Sequence, residues 1–481
     1  MDSNKNEPKL KERSSSNRFE NIQPKTTNSS QAKEQTQSDN KVFLTIFTSL
    51  VIDLLAFTVI LPLLPSLLEF YGKQEEDVLY NTMMKKVNTF KNLMGMPEVG
   101  RFNAVLFGGI IGSLFSLLQF FCCPLIGALS DLYGRKPTLL ISMFGVLVSY
   151  VIWALSQNFT MFVIARFIGG LSKGNVTICT AAVTDVTSSK TRSKGMALIG
   201  IAYSIGFIVG PTIGAVFATQ SSLKGGHFYY LPAIFAAVLS FVDILFVLCF
   251  FKDTLPQEKR AVSMVAECRK AFHYINPVSL FKFSALERSS SSDLKTVRFL
   301  GLVYFLFLFF FSGLEFTLTF LMHKNFQYTS MKQGMMFFFI GVVMATVQGG
   351  YVRRLAEGSE KKTAVKGMIA MMPGMALVGV ATTPFVLYSG LTLFSFGSAT
   401  VVPCLTSLIS KYGTNDQKGK IMGIFRSLGA LARGIGPFMF CSAYWSTGPF
   451  WCYLVGSLFF VVPLFLLMKY VPGEEPDKKA Q

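Results

Sequence analysis

The stretch GALSDLYGRKP, from Gly127 to Pro137, decides how the rest of this chain is organised. It lies between two long apolar runs and supplies an acid, a glycine turn and two adjacent cations, Arg135 and Lys136. A glycine permits a tight turn, and charges at such a turn stay in water while the apolar residues on both sides do not. The stretch therefore predicts a short polar loop between two membrane-spanning helices.

The composition agrees with a membrane protein. Of the 481 residues, 51% are hydrophobic and only 15% are charged, which is too apolar for a soluble chain of this length. The net charge of +18 raises the question of nucleic acid, but the cations lie between apolar runs and are not gathered in one basic segment. We therefore exclude nucleic acid as a partner and expect a lipid bilayer.

A polar segment, residues 1–41, has few large apolar side chains and is predicted to be a disordered tail without a cleavable signal peptide. Twelve apolar runs follow, each close to the about 17 to 25 residues that a spanning helix requires. The runs lie at about 42–68, 103–129, 138–157, 159–183, 195–218, 228–251, 298–322, 332–352, 364–383, 385–410, 420–442 and 449–470.

The polar segments between the runs set the orientation. Lys and Arg are concentrated on the side that the tail occupies, which places both termini in the cytoplasm, with residues 471–481 as a second tail. Residues 252–297, with Pro277 and a serine cluster, are predicted to be a cytoplasmic linker. The linker joins an N-terminal bundle at 42–251 to a C-terminal bundle at 298–470.

The two bundles carry related sequence marks, as repeat-built transporters do. Lys194-Gly195 opens a run that reaches Gly210-Pro211, and Lys418-Gly419 opens one that reaches Gly436-Pro437. We therefore predict an all-α polytopic membrane protein whose twelve helices form two pseudo-symmetric six-helix bundles.

The loop resembles a signature of the major facilitator superfamily of transporters. In that family its Gly, Asp, Gly and Arg form a cytoplasmic latch, and the matching positions are Gly127, Asp131, Gly134 and Arg135. Leu132 replaces the cation that many members carry after the Asp.

Further parts of the chain resemble a vertebrate tetracycline-transporter-like member of the same superfamily. The stretches that carry this likeness are DLLAFTVILPLLP (53–65), RFIGGLSKGNV (166–176), SGLEFTLTF (312–320) and FRSLGALARGIGP (425–437). The likeness extends the latch to Asp185 and Arg192, within DVTSSKTRSKG (185–195), and makes Gly210 and Pro211 of the fifth run a hinge that is associated with antiporters.

Charged residues inside the runs are the candidate site. Arg166 and Lys173 share one helix face because seven residues make two turns, and in lipid each would cost several kcal/mol. We expect both to contact substrate or to take part in coupling, with an ion pair to Asp53 as the alternative.

On other runs, Arg426 is the cavity cation of the eleventh and Glu315 the acid of the seventh. Asp53 and Glu315 are the two candidate proton carriers. Asp243 of the sixth run is interpreted as a structural or interface charge.

These residues and the resemblance together predict a secondary active transporter of amphiphilic or drug-like organic anions. The cations outnumber the buried acids, which favours an anion, and the resemblance points the same way. Antiport and proton-coupled symport both stay open, so protons or a counter-anion are further partners. The alternative function is a transport-inactive scaffold or receptor.

No enzymatic chemistry, cofactor or metal is expected. His227 and His323 lie near the outer surface and His273 in the linker, so no histidine is placed for membrane catalysis, and there is no P-loop GxxxxGK[ST]. The eight Cys show neither a CxxC spacing nor a pair in an outer loop. We expect a monomer in the plasma membrane, with the nuclear envelope or another internal membrane as alternatives.

Overall fold

The computed structural model describes residues 27–72, 77–93, 103–187, 192–223, 227, 229–284, 291–356, 358–412 and 415–470. In these ranges every regular element is helical and no β-strand is present. The α-helices are α1 (Thr27–Thr58), α2 (Leu64–Gly72), α3 (Val78–Leu93), α4 (Asn103–Tyr133), α5 (Arg135–Ala154), α6 (Phe159–Ser172), α7 (Asn175–Val186), α8 (Arg192–Leu223), α9 (Tyr230–Phe250), α10 (Met264–Ile275), α11 (Pro277–Lys282), α12 (Ser291–Lys324), α13 (Ser330–Thr346), α14 (Glu360–Val380), α15 (Pro384–Ser410), α16 (Asn415–Leu458) and α17 (Val461–Lys469).

Ten stretches of the described chain are long and apolar enough to cross a membrane. The fourth predicted run is missing from these ten because it is divided into α6, of 14 residues, and α7, of 12. The eleventh and twelfth runs count as one stretch of 49 residues, Ile421–Lys469, which turns at Gly448 with a positive φ of 81°. The ten stretches, the divided run and the turn at Gly448 account for all twelve apolar runs, so the prediction of an all-α polytopic membrane protein is confirmed.

The first span, Lys41–Gly72, is bent where its prolines lie. The α-helical path ends at Thr58, and a single 3-10 turn contains Pro62 before α2 begins with Pro65 as its second residue. A proline lacks the N–H that the preceding turn would use, so it ends or bends a helix.

Glycines let α8 pack closely on the end of α1. A Cβ at Gly210 would contact the Thr58 side chain, and one at Gly214 would contact the backbone of Val59. Small residues of this kind increase the van der Waals contact between membrane helices. The fifth span continues through Pro211 as one helix.

We call α1 to α9 the N-terminal half and α12 to α17 the C-terminal half. The halves touch through α4 against α16 and α8 against α13. The absence of a side chain at Gly109 makes room for Cys441, and at Gly341 it makes room for Ile208. Contacts this close allow little movement while they last.

One end of the molecule, which we call the Glu69 face, is closed by polar contacts between the halves. Glu69 at the end of α2 pairs with His323 Nε2 at 2.9 Å and with Lys324 Nζ, both at the end of α12. Nearby, the indole N–H of Trp445 donates to Asn103 Oδ1 at 3.2 Å.

The same face is braced within the N-terminal half by Asp77. Its carboxylate accepts hydrogen bonds from the backbone N–H of Tyr80 in α3 and of Thr160 in α6, each at 2.8 Å. Burial raises the pKa of Asp77, but these hydrogen bonds lower it further, so the pKa lies below its usual value. Asp77 therefore stays ionised near neutral pH and fastens α3 to the start of α6.

The Glu69 ion pairs should favour the state that is closed at the Glu69 face over a state that is open there. Because Glu69 is 31% exposed, its ion pairs contribute on the order of 1 kcal/mol to closure of this face. Glu69→Gln should raise the population that is open at this face about fivefold, the Boltzmann equivalent of that energy. The measurement is the distance distribution between spin labels on unnatural amino acids at Gln157 and Asn325, one on each half.

Lys332→Gln is the matched control, because Lys332 is an exposed cation near the same face. A distance distribution in Glu69→Gln that is identical to that of the wild type would show that the ion pairs do not hold the face closed.

Candidate functional site

A buried ion pair joins the first and fourth spans. Lys173 Nζ donates to both carboxylate oxygens of Asp53, each at 2.7 Å. The two side chains are only 5% and 7% exposed. The Phe57 ring, one turn after Asp53, lies with its centroid 4.9 Å from the same Nζ. Removing one partner of such a pair leaves an uncompensated buried charge, which costs about 3 to 5 kcal/mol.

Lys173 lies at the break between α6 and α7. Its ψ of 63° is not helical, so it ends α6 in the middle of a span. Ser142 of α5 accepts a hydrogen bond from the Gly174 N–H at 3.2 Å and donates one to the Ser172 carbonyl. Irregular backbone at membrane depth persists only where its polar groups have such partners. These hydrogen bonds therefore stabilise the break between α6 and α7.

Arg166 lies in an aromatic pocket. Its guanidinium carbon is 5.6 Å from the Phe115 ring centroid, 5.8 Å from that of Trp153 and 5.9 Å from that of Phe162. The residue is buried, and within the described residues its Nε has no hydrogen-bond partner. The ion pair that was the alternative interpretation of these two cations is formed by Lys173, whereas Arg166 is held by cation–π contacts.

The C-terminal half contributes two arginines. Arg426 of α16 donates to the Thr180 hydroxyl of α7, so it bridges the halves. Arg433, two turns further on, is exposed although it lies in the middle of a span, and it is within electrostatic reach of Glu315 on α12 and Tyr203 on α8. An exposed cation at this depth must face water inside the protein and not lipid. The Arg433 guanidinium therefore faces a polar space between the halves.

Two uncharged residues show that these groups surround one region. Tyr203 is within electrostatic reach of Asp53 and Arg426, and Cys123 is within reach of Lys173 and Arg426. The structure thus brings Asp53, Lys173 and Arg426 together, with Glu315 beyond Arg433. Sequence spacing placed each charge on a span but could not place the spans around each other.

Asp243 of α9 lies near the ion pair. Sequence analysis interpreted Asp243 as a structural or interface charge and did not predict this position. It is 1% exposed, and it is within electrostatic reach of Asp53 and Lys173. One carboxylate oxygen bonds to Ser49, and the other, Oδ1, has no partner among the described residues. No signal in the sequence could have shown this, because the sixth and first spans are far apart in the chain.

The opposite end of the molecule, which we call the Asp131 face, is organised by Arg135. Its guanidinium pairs with Asp131 at 2.5 Å and with Asp185 at 2.8 Å, and its backbone N–H donates to Asp253 Oδ1 at 3.0 Å. Asp253, which follows α9, was not among the predicted residues. One cation therefore connects the last turn of α4, the end of α7 and the segment that follows α9.

The other predicted latch residues that follow or precede these contacts are Gly134, Gly127 and Arg192. Gly134 has a φ of +103°, and a Cβ there would contact the Asp253 carboxylate, so this turn requires glycine. A Cβ at Gly127 would make only ordinary contact with Thr177, at 3.6 Å. Arg192 begins α8, but its side chain lies outside the described residues.

Metal-ligating residues do not converge in the described ranges. No group of three or more His, Cys, Asp or Glu that could hold a metal ion occurs there. The Cys that the structure describes are free thiols.

Comparison with known proteins places this geometry in a family. Residues 46–437 match the family model of the Major Facilitator Superfamily. The chain is 46% identical to mouse Major facilitator superfamily domain-containing protein 10 over 446 residues, 92% of this chain and 95% of the relative. It is 25% identical to the Tetracycline resistance protein, class H, of Pasteurella multocida over 447 residues, 92% of this chain and 98% of that one.

A solved structure gives the same result. The crystal structure of the human organic anion transporter MFSD10 superposes with a TM-score of 0.75 at 46% identity, over 89% of this chain and 99% of that one. The chain therefore belongs to the major facilitator superfamily of transporters.

Proposed function

We propose that this chain is a secondary transporter that moves organic anions by alternating access. The observation that carries this proposal is the set of cations, Lys173, Arg426 and Arg433, around one polar region between the halves. Lys173 is already neutralised by Asp53, whereas Arg426 and Arg433 have no ion-pair partner within 4.0 Å in the described residues. A cavity with this charge balance favours an anionic ligand.

The substrate class follows from the groups beside these cations. Guanidinium groups suit carboxylates because their N–H donors match two oxygens at once. The rings of Tyr304 and Phe425 stack with centroids 3.8 Å apart next to Arg426, which supplies an apolar wall. An amphiphilic or aromatic carboxylate satisfies both features. That MFSD10 is described as an organic anion transporter supports the same class.

Alternating access requires the halves to separate first at one end and then at the other. In the proposed cycle residues 42–251 and 298–470 each move as one bundle, and residues 252–297 link them on the cytoplasmic side. The Glu69 face is closed in this structure. We assign the Asp131 face to the cytoplasm because Lys and Arg are concentrated in the segments on that side.

Coupling to protons is proposed to begin at Asp53. An anion that binds Lys173 competes with the Asp53 carboxylate for the same ammonium group, so its arrival favours protonation of Asp53. Proton and anion then bind together, and symport requires such positive coupling between the two binding events. The fifth-span glycines associated with antiport serve close packing on α1, so they favour neither mode. Exchange for a counter-anion stays the second mode.

The first prediction tests transport itself. Purified protein in proteoliposomes should show saturable uptake of a labelled aryl carboxylate, and Lys173→Gln, Arg426→Gln and Arg433→Gln should each raise KM about tenfold, the loss expected for one charge-assisted hydrogen bond. Lys332→Gln is the matched control and should leave KM unchanged. Uptake by wild-type protein that does not saturate, despite correct folding, would support the transport-inactive scaffold instead.

The second prediction concerns the latch. Arg135 contacts three segments on the Asp131 face and none of the central groups, so it should bias the conformational equilibrium without touching substrate. Arg135→Ala should lower turnover about tenfold and change the Kd for the anion less than twofold. Lys136→Ala controls for charge, because within the described residues Lys136 donates to the Leu248 carbonyl and not to a carboxylate. Equal losses in turnover and affinity would contradict the assignment.

The third prediction concerns the coupled proton. Asp53→Asn should flatten the dependence of anion uptake on pH between about pH 5 and 8, since the amide cannot take up a proton, while exchange of labelled for unlabelled anion stays measurable. Glu315→Gln should keep the wild-type profile. If Asp53→Asn kept that profile and Glu315→Gln lost it, the coupled proton would belong to Glu315.

A further inference from the structure

We propose that the exposed side of α10, with the residues that flank it, is a binding surface for the anionic headgroups of a lipid bilayer. This surface, which we call the α10 surface, consists of Val262, Val265, Arg269, Phe272 and Val278. The proposal does not depend on the transport function, because α10 contributes none of the residues of the candidate functional site.

The two helices of this segment are defined by local sequence signals. Ser263 accepts a hydrogen bond from the Ala266 N–H at 3.4 Å and so caps α10. Asn276 caps α11 by accepting one from the Val278 N–H at 3.0 Å, and Pro277 begins that helix without an N–H to satisfy. Neither helix belongs to the ten stretches of the described chain that are long enough to cross a membrane.

Contacts at both ends hold the segment at the level where membrane spans end. The Ala261 N–H donates to the Asp131 carbonyl at 2.9 Å, and Asp131 lies in the last turn of α4. At the other end Phe283 is fully buried, and the absence of a side chain at Gly301, within the span Leu294–Lys324, makes room for its ring. The segment is therefore fixed along the bilayer surface and does not extend away from it into water.

The inner side of α10 is fixed against both halves of the molecule. Ala271 is buried, and the Tyr274 ring lies next to Gly423 of α16, where a Cβ would be 3.4 Å from it. The helix also packs against α4. A helix that is held in this way has one orientation about its axis, so the side opposite Ala271 and Tyr274 has a fixed direction.

The outer side of α10 combines apolar side chains with a cation. Val265, Arg269 and Phe272 follow one another at spacings of four and three residues, which places them on one helix face. Val265 is 77% exposed and Phe272 63%, and Arg269 is exposed beside them. Val262 before the helix and Val278 in α11 are exposed as well. Apolar side chains that gather on one exposed face favour contact with an apolar phase outside the protein.

The charge of the segment selects an anionic bilayer as that phase. Residues 252–298 contain nine Lys and Arg but only five Asp and Glu. Arg260 is paired with Asp253 at 3.0 Å, whereas Lys252, Arg269 and Lys282 are exposed. Helices with exposed apolar residues and cations side by side bind at the membrane interface, with the apolar groups below the headgroups and the cations among the phosphates. The aliphatic stem of Arg269 allows its guanidinium to reach that level from between Val265 and Phe272.

The first measurement is the depth of the α10 surface in a bilayer. Full-length protein with a spin label on an unnatural amino acid at Val265 or Phe272 is reconstituted in nanodiscs of phosphatidylcholine and phosphatidylserine. Both labels should collide more often with molecular oxygen, which concentrates among acyl chains, than with a water-soluble nickel complex. A label at Gln257, an exposed residue before α10, is the matched control and should show the opposite order. The water-like order at both Val265 and Phe272 would overturn the proposal and leave the surface open to a soluble protein partner.

The second measurement tests the role of charge. Hydrogen exchange of the α10 backbone amides should be about fivefold slower in nanodiscs that contain phosphatidylserine than in phosphatidylcholine alone, the effect of one Arg near an anionic surface. Arg269→Gln should remove most of this difference, and because Arg269 is exposed the variant should fold as the wild type does. Lys362→Gln, which alters an exposed cation at the start of α14, is the matched control and should keep the difference. Equal exchange rates of the wild type in the two lipids would overturn the proposal.

Discussion

The ion pair between Asp53 and Lys173 is the interaction on which the rest of the structure depends. Two charges that are 5% and 7% exposed in the interior of a membrane span are tolerated only because each neutralises the other. The pairing requires Lys173 to leave the helical path, and Ser142 supplies the hydrogen bonds that the interrupted backbone loses. The helix break at Lys173 and the ion pair between Lys173 and Asp53 therefore depend on each other.

The C-terminal half contributes cations to the region around that pair, and the two ends of the molecule have contacts of their own. Arg426 and Arg433 of the C-terminal half approach the same region from the other side, so a bound anion would hold both halves together. The Glu69 face is closed by contacts between the halves, whereas Arg135 at the Asp131 face connects α4, α7 and the segment that follows α9. The two ends are therefore stabilised by different means.

The sequence was sufficient for the fold class and for which residues carry charge inside the membrane. Run length and composition predicted the helices, and the depth of Asp53 in its run allowed a contact with either Arg166 or Lys173. Which of the two it pairs with depends on the break at Lys173, and a break that relies on Ser142 of another span has no local signal. The surroundings of Asp243, and the contact of Asp253 with Arg135, were not predicted for the same reason, since packing of distant spans decides what each carboxylate faces.

The central claim is that an anion and the Asp53 carboxylate compete for Lys173, and proton uptake on anion binding tests it most directly. Purified protein in weakly buffered detergent solution, mixed with an aryl carboxylate in the presence of a pH indicator, should take up close to one proton per anion bound near neutral pH, and Asp53→Asn should take up none. Saturable anion binding by the wild type with no proton uptake at any pH between about 5 and 8 would contradict the account.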